Sequence, residues 1–235
     1  MIKIEPERIT KFDRTPTELE LFLIFCVLVA NKPSDTTAQK VNGMFIPRTD
    51  NAFNLKVFSE ALVRDEGIHS PFAFIYSLIK HNILIDWLKY WRTGQYSRIS
   101  KCLVAINKLF NEEHIRLDRV SIEQLESIHG IGPKTARFFV LHSRLDQKCA
   151  VLDTHVLKWL KEVYGTNART TPTSPRDYKL LEGLLLGECL KWNKTPVEMD
   201  SLIWNYYYDR KKFKPRINLK QNALDVNYWS IFSKA

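Results

Sequence analysis

The sequence lacks several features that would assign a function quickly. It has 4 cysteines (Cys26, Cys102, Cys149 and Cys189), with no C-x-x-C pair and no ligand spacing of a zinc or iron–sulfur site. Scattered among apolar neighbours, they read as small hydrophobes in a reduced, intracellular protein. The longest apolar run, over 19–30, is interrupted by Glu20 and is too short to cross a bilayer. The N-terminus shows no basic–apolar–cleavage pattern, so neither a secretory signal nor a membrane partner is expected. Strand signals are nearly absent, and no internal repeat is evident. Acidic residues are the minority charge: 35 Lys and Arg face 26 Asp and Glu, for a net charge of +9. An excess of that size creates a positive field for which polyanions are natural partners, although many basic proteins bind no nucleic acid.

What is present is a set of helix starts. Thr15-Pro16, Ser70-Pro71, Ser174-Pro175 and Thr195-Pro196 each place a capping hydroxyl before a proline at the first helical position. Thr15 with Glu18 and Thr195 with Glu198 complete capping boxes. An all-α fold follows, with helices predicted over 16–31, 35–45, 52–65, 71–81, 83–93, 97–110, 122–127, 133–143, 153–164, 175–191 and 196–209. A threonine-rich loop is predicted over 165–174. The tail turns basic from Arg210 and ends with Tyr228, Trp229 and Phe232.

The most informative stretch is Leu125-Glu-Ser-Ile-His-Gly-Ile-Gly-Pro-Lys-Thr-Ala-Arg-Phe-Phe139, two short helices joined by a Gly-x-Gly hairpin. Gly130 and Gly132 permit positive φ and bring bare backbone close to a partner. The second helix opens at Pro133 with free N–H groups, which suit a phosphate oxygen. By itself the hairpin also fits an ordinary packing corner. Nineteen residues after Lys134, however, comes Asp153 in Leu-Asp-Thr-His-Val, placed as the cap of the next helix.

The two motifs, in this order and spacing, resemble the helix-hairpin-helix DNA glycosylase superfamily that includes endonuclease III and the 8-oxoguanine DNA glycosylases. The resemblance spans about 18–208. It implies Lys134 as the nucleophile of a bifunctional glycosylase and Asp153 as its carboxylate partner. It further implies double-stranded DNA with a damaged base as substrate, bound by a monomer, and an oxidised base as target, 8-oxoguanine ahead of oxidised pyrimidines. Asn31 stands where relatives fill the gap left by the flipped base, with a shorter side chain than their glutamine. Gly130, Gly132, Arg98, Lys101, His155 and, less directly, Arg137 and His129 are candidates at DNA. Backbone carbonyls of Glu126, Ile128 and Ile131 are candidates for a structural monovalent cation. No iron–sulfur cluster or other cofactor is expected, because the four-cysteine spacing of endonuclease III is missing.

Lysine and aspartate suit this chemistry. An amine attacking the anomeric carbon forms a Schiff base, and a carboxylate offsets positive charge on the sugar. The amine must be neutral, whereas free lysine titrates near 10.4; a helix N-terminus and partial burial favour the neutral form, and a facing carboxylate opposes it. Two helical lobes are expected, 35–145 ending in the hairpin and 1–34 with 146–235, the active site lying in the cleft between them. Two other readings use the same residues: a monofunctional glycosylase for alkylated or mismatched bases, in which Asp153 activates water, and a DNA-binding module without catalysis.

Overall fold

The computed structural model describes residues 3–30, 32–45, 70–112, 115–167 and 170–212. The helix predicted over 52–65, Asn31, Tyr228, Trp229 and Phe232 lie outside the described residues, as does the side chain of Tyr208.

The described chain is helical, and it holds no strand among these residues. In order come α1 (Pro16–Leu28), α2 (Ser34–Met44), α3 (Pro71–Lys80), α4 (Leu84–Tyr90) and α5 (Tyr96–Asn107), which runs into a π-helical turn, Lys108–Glu112. After them come α6 (Ile122–Glu126), α7 (Pro133–Ser143), α8 (Thr154–Tyr164), α9 (Pro175–Lys191) and α10 (Pro196–Lys212). The four Ser/Thr-Pro starts all act as caps. Thr15 accepts Glu18 N–H while Glu18 accepts Thr15 N–H, Ser70 accepts Ala73 N–H, Ser174 accepts Asp177 N–H, and Thr195 and Glu198 bond reciprocally. Ser121 and Gln124 form a further capping box ahead of α6.

Helix α1 is buried on every side from Leu21 to Leu28. A helix that is apolar all round needs neighbours all round, and α2, α3, α5 and α7 supply them. Phe22 of α1 stacks on Phe139 of α7 with ring centroids 5.6 Å apart. The buried residues fall into two clusters. The larger joins α1 through α7 with Cys149 and Val151; the smaller joins Ala150 and Leu152 to α8, α9 and α10. Helix α1 belongs to the larger cluster with α2–α7, and Val197 of α10 packs against that cluster. The stretch 149–152 is shared: alternate side chains enter the two clusters, and Asp153 follows at its end.

Candidate active site

The hairpin joins α6 to α7 as the sequence predicts, but its glycines play different parts. Gly130 has φ +90°, and a Cβ there would stand 3.1 Å from Cys102 Cβ on α5. It is required both by its backbone conformation and by the close approach of α5. Gly132 has φ −97° and ψ 177°, a conformation open to any residue, and a Cβ there would meet nothing within 4 Å. Its lack of a side chain serves the open side: it caps α7 with no side-chain hydrogen bond and leaves the helix N-terminus bare. Lys134 is the second residue of α7, partly exposed beside that bare end. His129 is exposed on the same turn. The turn is tied to the body by Arg98, whose Nη1 donates to Gly130 O and Nη2 to Val27 O, both at 3.0 Å, while Nε donates to Gln95 at 2.7 Å. Ile128 O accepts Ile131 N–H at 3.0 Å, and a carbonyl so engaged keeps a second lone pair.

Asp153 is the N-cap of α8. Its Oδ1 accepts the N–H groups of His155 and Val156, both at 2.8 Å. The carboxylate keeps some solvent-facing surface yet lies deep among protein atoms. Burial pushes its pKa above the ordinary value and the charge of Asp200 adds to that push. The Val156 N–H, the Lys134 ammonium and His155 pull the other way. Lys134 and Asp153, far apart in sequence, are thus brought within electrostatic reach.

Asp200 belongs to a buried pair. His142 Nε2 lies 3.2 Å from Asp200 Oδ2, off hydrogen-bond geometry, and its Nδ1 is 2.8 Å from Thr10 Oγ1. Lys134, Phe138 and His142 follow one another at four-residue spacing along one face of α7. Phe138 meets His142 edge-on at 4.8 Å. That spacing was the one sequence sign that His142 belongs under the site; nothing marked Asp200 on α10.

The remaining candidates are distributed as follows. Lys101 is exposed on α5. The His155 ring stacks on Tyr207, with centroids 5.5 Å apart and planes 11° from parallel. Tyr207 is buried and donates its hydroxyl to Glu162, so it is part of the core. Arg137, a candidate for phosphate, is instead turned inward, ion-paired to Glu126 and Glu182. Next to Asn31, Lys32 Nζ is buried with no hydrogen-bond partner among the described residues. Burial first, then the charges of Arg98 and Lys40, push its pKa down to about 8. Cys26, Cys102, Cys149 and Cys189 are buried. A groove of about 410 Å³ runs along the N-terminal segment past Lys3, Arg8, Lys11 and Arg14, and neither Lys134 nor Asp153 lines it. Among the described residues no helix is long and apolar enough to cross a membrane.

No protein-family model matches the chain, and no curated protein matches its sequence. Solved structures do match its fold. The 8-oxoguanine DNA glycosylase of Thermotoga maritima aligns with TM-score 0.57 and 20% identity over 85% of each chain. The 8-oxoguanine DNA glycosylase of Methanocaldococcus jannaschii aligns with TM-score 0.60 and 19% identity, over 86% of this chain and 84% of that one. The M. jannaschii glycosylase/lyase in complex with a 15mer DNA containing 8-oxoguanine aligns with TM-score 0.58 and 21% identity, over 86% of this chain and 88% of that one. With its hairpin, its capping aspartate and its helix order already in place, the chain has the fold of the 8-oxoguanine DNA glycosylases.

Proposed function

We propose that this protein is a DNA glycosylase with AP-lyase activity that excises an oxidised base, 8-oxoguanine in preference to oxidised pyrimidines, acting as a monomer on duplex DNA. The observation that carries the reading is the pairing of Lys134, at an uncapped helix start, with the buried carboxylate of Asp153. A base within a duplex is out of reach, so the nucleotide is extruded toward this pair. The neutral Lys134 amine attacks C1′ of the sugar as the C1′–N bond breaks and its electrons leave with the base. Asp153 offsets the positive charge that develops on the sugar. The amine sheds its protons and the sugar ring opens, leaving a Schiff base. Loss of a 2′ proton then expels the 3′ phosphate. A carboxylate whose pKa burial has raised is a better acceptor for the amine's proton than a solvated one.

The bare N-terminus of α7 at Gly132 receives a backbone phosphate, and Lys101 and His155 contact the strand beyond it. Arg98 acts as a brace for the hairpin, having committed its donors to Gly130, Val27 and Gln95. Arg98 and Lys40 disfavour the charge on Lys32, and a strand phosphate beside these cations would relieve that repulsion; Asn31 is the residue assigned to the gap that the extruded nucleotide leaves in the duplex. A monovalent cation at the carbonyls of Glu126, Ile128 and Ile131 would stiffen the same turn.

The test is a panel of duplexes, each with one damaged base, treated with borohydride during turnover. A covalent enzyme–DNA adduct on the 8-oxoguanine duplex that disappears in Lys134→Gln supports the reading. Free base without an adduct leaves a monofunctional glycosylase, and no base release from any duplex leaves a binding module.

A further inference from the structure

Arg137, Glu182 and Tyr178 form a buried polar cluster that the chemistry above does not use. Arg137 lies on α7, three residues after Lys134; Glu182 and Tyr178 lie on α9. Arg137 Nε donates to Glu182 Oε1 at 2.8 Å, Nη1 reaches Glu126 on α6, and the guanidinium sits 4.2 Å over the Tyr178 ring. The same Oε1 of Glu182 also accepts the N–H of Ala150 at 2.9 Å. Tyr178 donates its hydroxyl to Ala150 O at 2.9 Å and accepts Leu152 N–H at 3.2 Å. Thr171 completes the set by donating to Leu152 O at 2.7 Å.

A single carboxylate oxygen therefore holds the helix that carries Lys134 and the strand-like stretch that ends in Asp153. The side chains of Arg137 and Glu182 are only 11% and 13% exposed. Taking such a pair out of water costs about as much as its attraction returns, and an apolar pair of the same volume is often as stable. Stability alone gives little reason for an ion pair here. What an apolar pair lacks is direction: it would not fix Ala150 N–H and Arg137 Nε on one point. Resting on the glycosylase reading, we propose that Glu182 is a positioning residue for the Lys134–Asp153 pair, its Oε1 setting the separation of the amine from the carboxylate. Tyr178 seconds it by holding residues 150 and 152 from the other side.

The experiment measures the separation through a property of Asp153 that needs no substrate. The groups acting on Asp153 are Asp200, which raises its titration midpoint, and Lys134, His155 and the Val156 N–H, which lower it. Protein labelled with 13C at aspartate carboxyls is titrated by NMR, with Asp153 identified from Asp153→Asn. Glu182→Ala frees α7 from the 149–152 stretch, so Lys134 moves away and the Asp153 midpoint rises. Removing a negative charge by itself moves a neighbouring carboxyl down, so the upward direction reports lost spacing. In the Lys134→Gln background the same substitution gives no upward shift. Glu182→Gln, which keeps an oxygen for Ala150 N–H, serves if the alanine variant fails to fold, and shows a smaller shift of the same sign. In parallel, single-turnover base release falls about 10- to 100-fold in Glu182→Ala, while affinity for a duplex with an abasic analogue is unchanged. A midpoint that stays or falls, or an upward shift that persists without Lys134, overturns the positioning role. If wild type releases no base from any duplex, the glycosylase reading falls, and the titration still judges Glu182.

Discussion

Asp153 performs two jobs that different substitutions separate. As a cap it satisfies two backbone N–H groups through one oxygen; as a carboxylate it bears a charge that burial disfavours. Asp153→Ala removes both. Losing the cap costs about 1 kcal/mol, within a range of roughly 0.5–2, and each kcal/mol lowers Tm by about 2–4 °C in a chain of this size. Asp153→Asn keeps an oxygen for both N–H groups and discards the charge. At neutral pH the asparagine variant therefore melts at or above wild type, and the alanine variant melts below it; neither excises a base. The pH dependence has a definite sign. The folded-state pKa lies above the unfolded value of 3.8, so in the window between them the folded chain binds a proton that the unfolded chain does not. The penalty is full above the folded pKa and fades as pH falls through it. The advantage of Asp153→Asn over wild type is thus greatest near neutrality and shrinks on acidification. Calorimetry or thermal melts of the three proteins across the acid range test this. An asparagine variant as unstable as alanine at neutral pH would show that the ionised carboxylate is a net stabiliser, and the argument from burial would fail.

Other expectations concern the hairpin, its cations and the thiols. Gly130→Ala forces a side chain into a positive-φ position at about 1–2 kcal/mol before its contact with Cys102 is counted, so Tm falls. Gly132→Ala leaves Tm unchanged and weakens binding to duplex, because its Cβ stands at the open end of α7; equal losses of Tm in both would sink the distinction. Lys101→Ala lowers the salt dependence of DNA binding by about one counterion without affecting Tm. Arg98→Ala instead lowers Tm by leaving Gly130 O and Val27 O without their donor, a loss of about 1–3 kcal/mol. Burial pushes the thiols of Cys102 and Cys149 to about 12 and that of Cys189 to about 11, with Cys26 raised further. A thiol reagent at pH 8 therefore leaves native protein unlabelled and titrates all 4 cysteines after denaturation.

Helix starts were legible because their signal is local. Thr15, Ser70, Ser174 and Thr195 announce themselves within four residues, and each caps a helix. Helix α5 was harder to bound, since its cap position is Gln95 at φ +46°, whose side chain makes no capping hydrogen bond to the helix backbone. Lys134 and Asp153 were singled out by motif spacing, and the fold brings the two within electrostatic reach of each other. The residues that surround them were not legible. A basic side chain on a helix looks the same in sequence whether it faces water or, like Arg137, a carboxylate 45 positions away. His142 and Asp200 meet only because α10 folds back on α7, and no local pattern encodes that meeting. The neighbours of α1 were illegible for the same reason: its uniform apolarity says that it is buried and not that α2, α3, α5 and α7 surround it.

The shared stretch ahead of Asp153 constrains how this chain can vary. Because Cys149 and Val151 enter one cluster while Ala150 and Leu152 enter the other, its residues can be exchanged in kind but not in number. A one-residue insertion or deletion there would send each side chain into the wrong cluster and turn the carboxylate away from the amine. The length of this short thread, more than its composition, sets where Asp153 stands relative to both clusters.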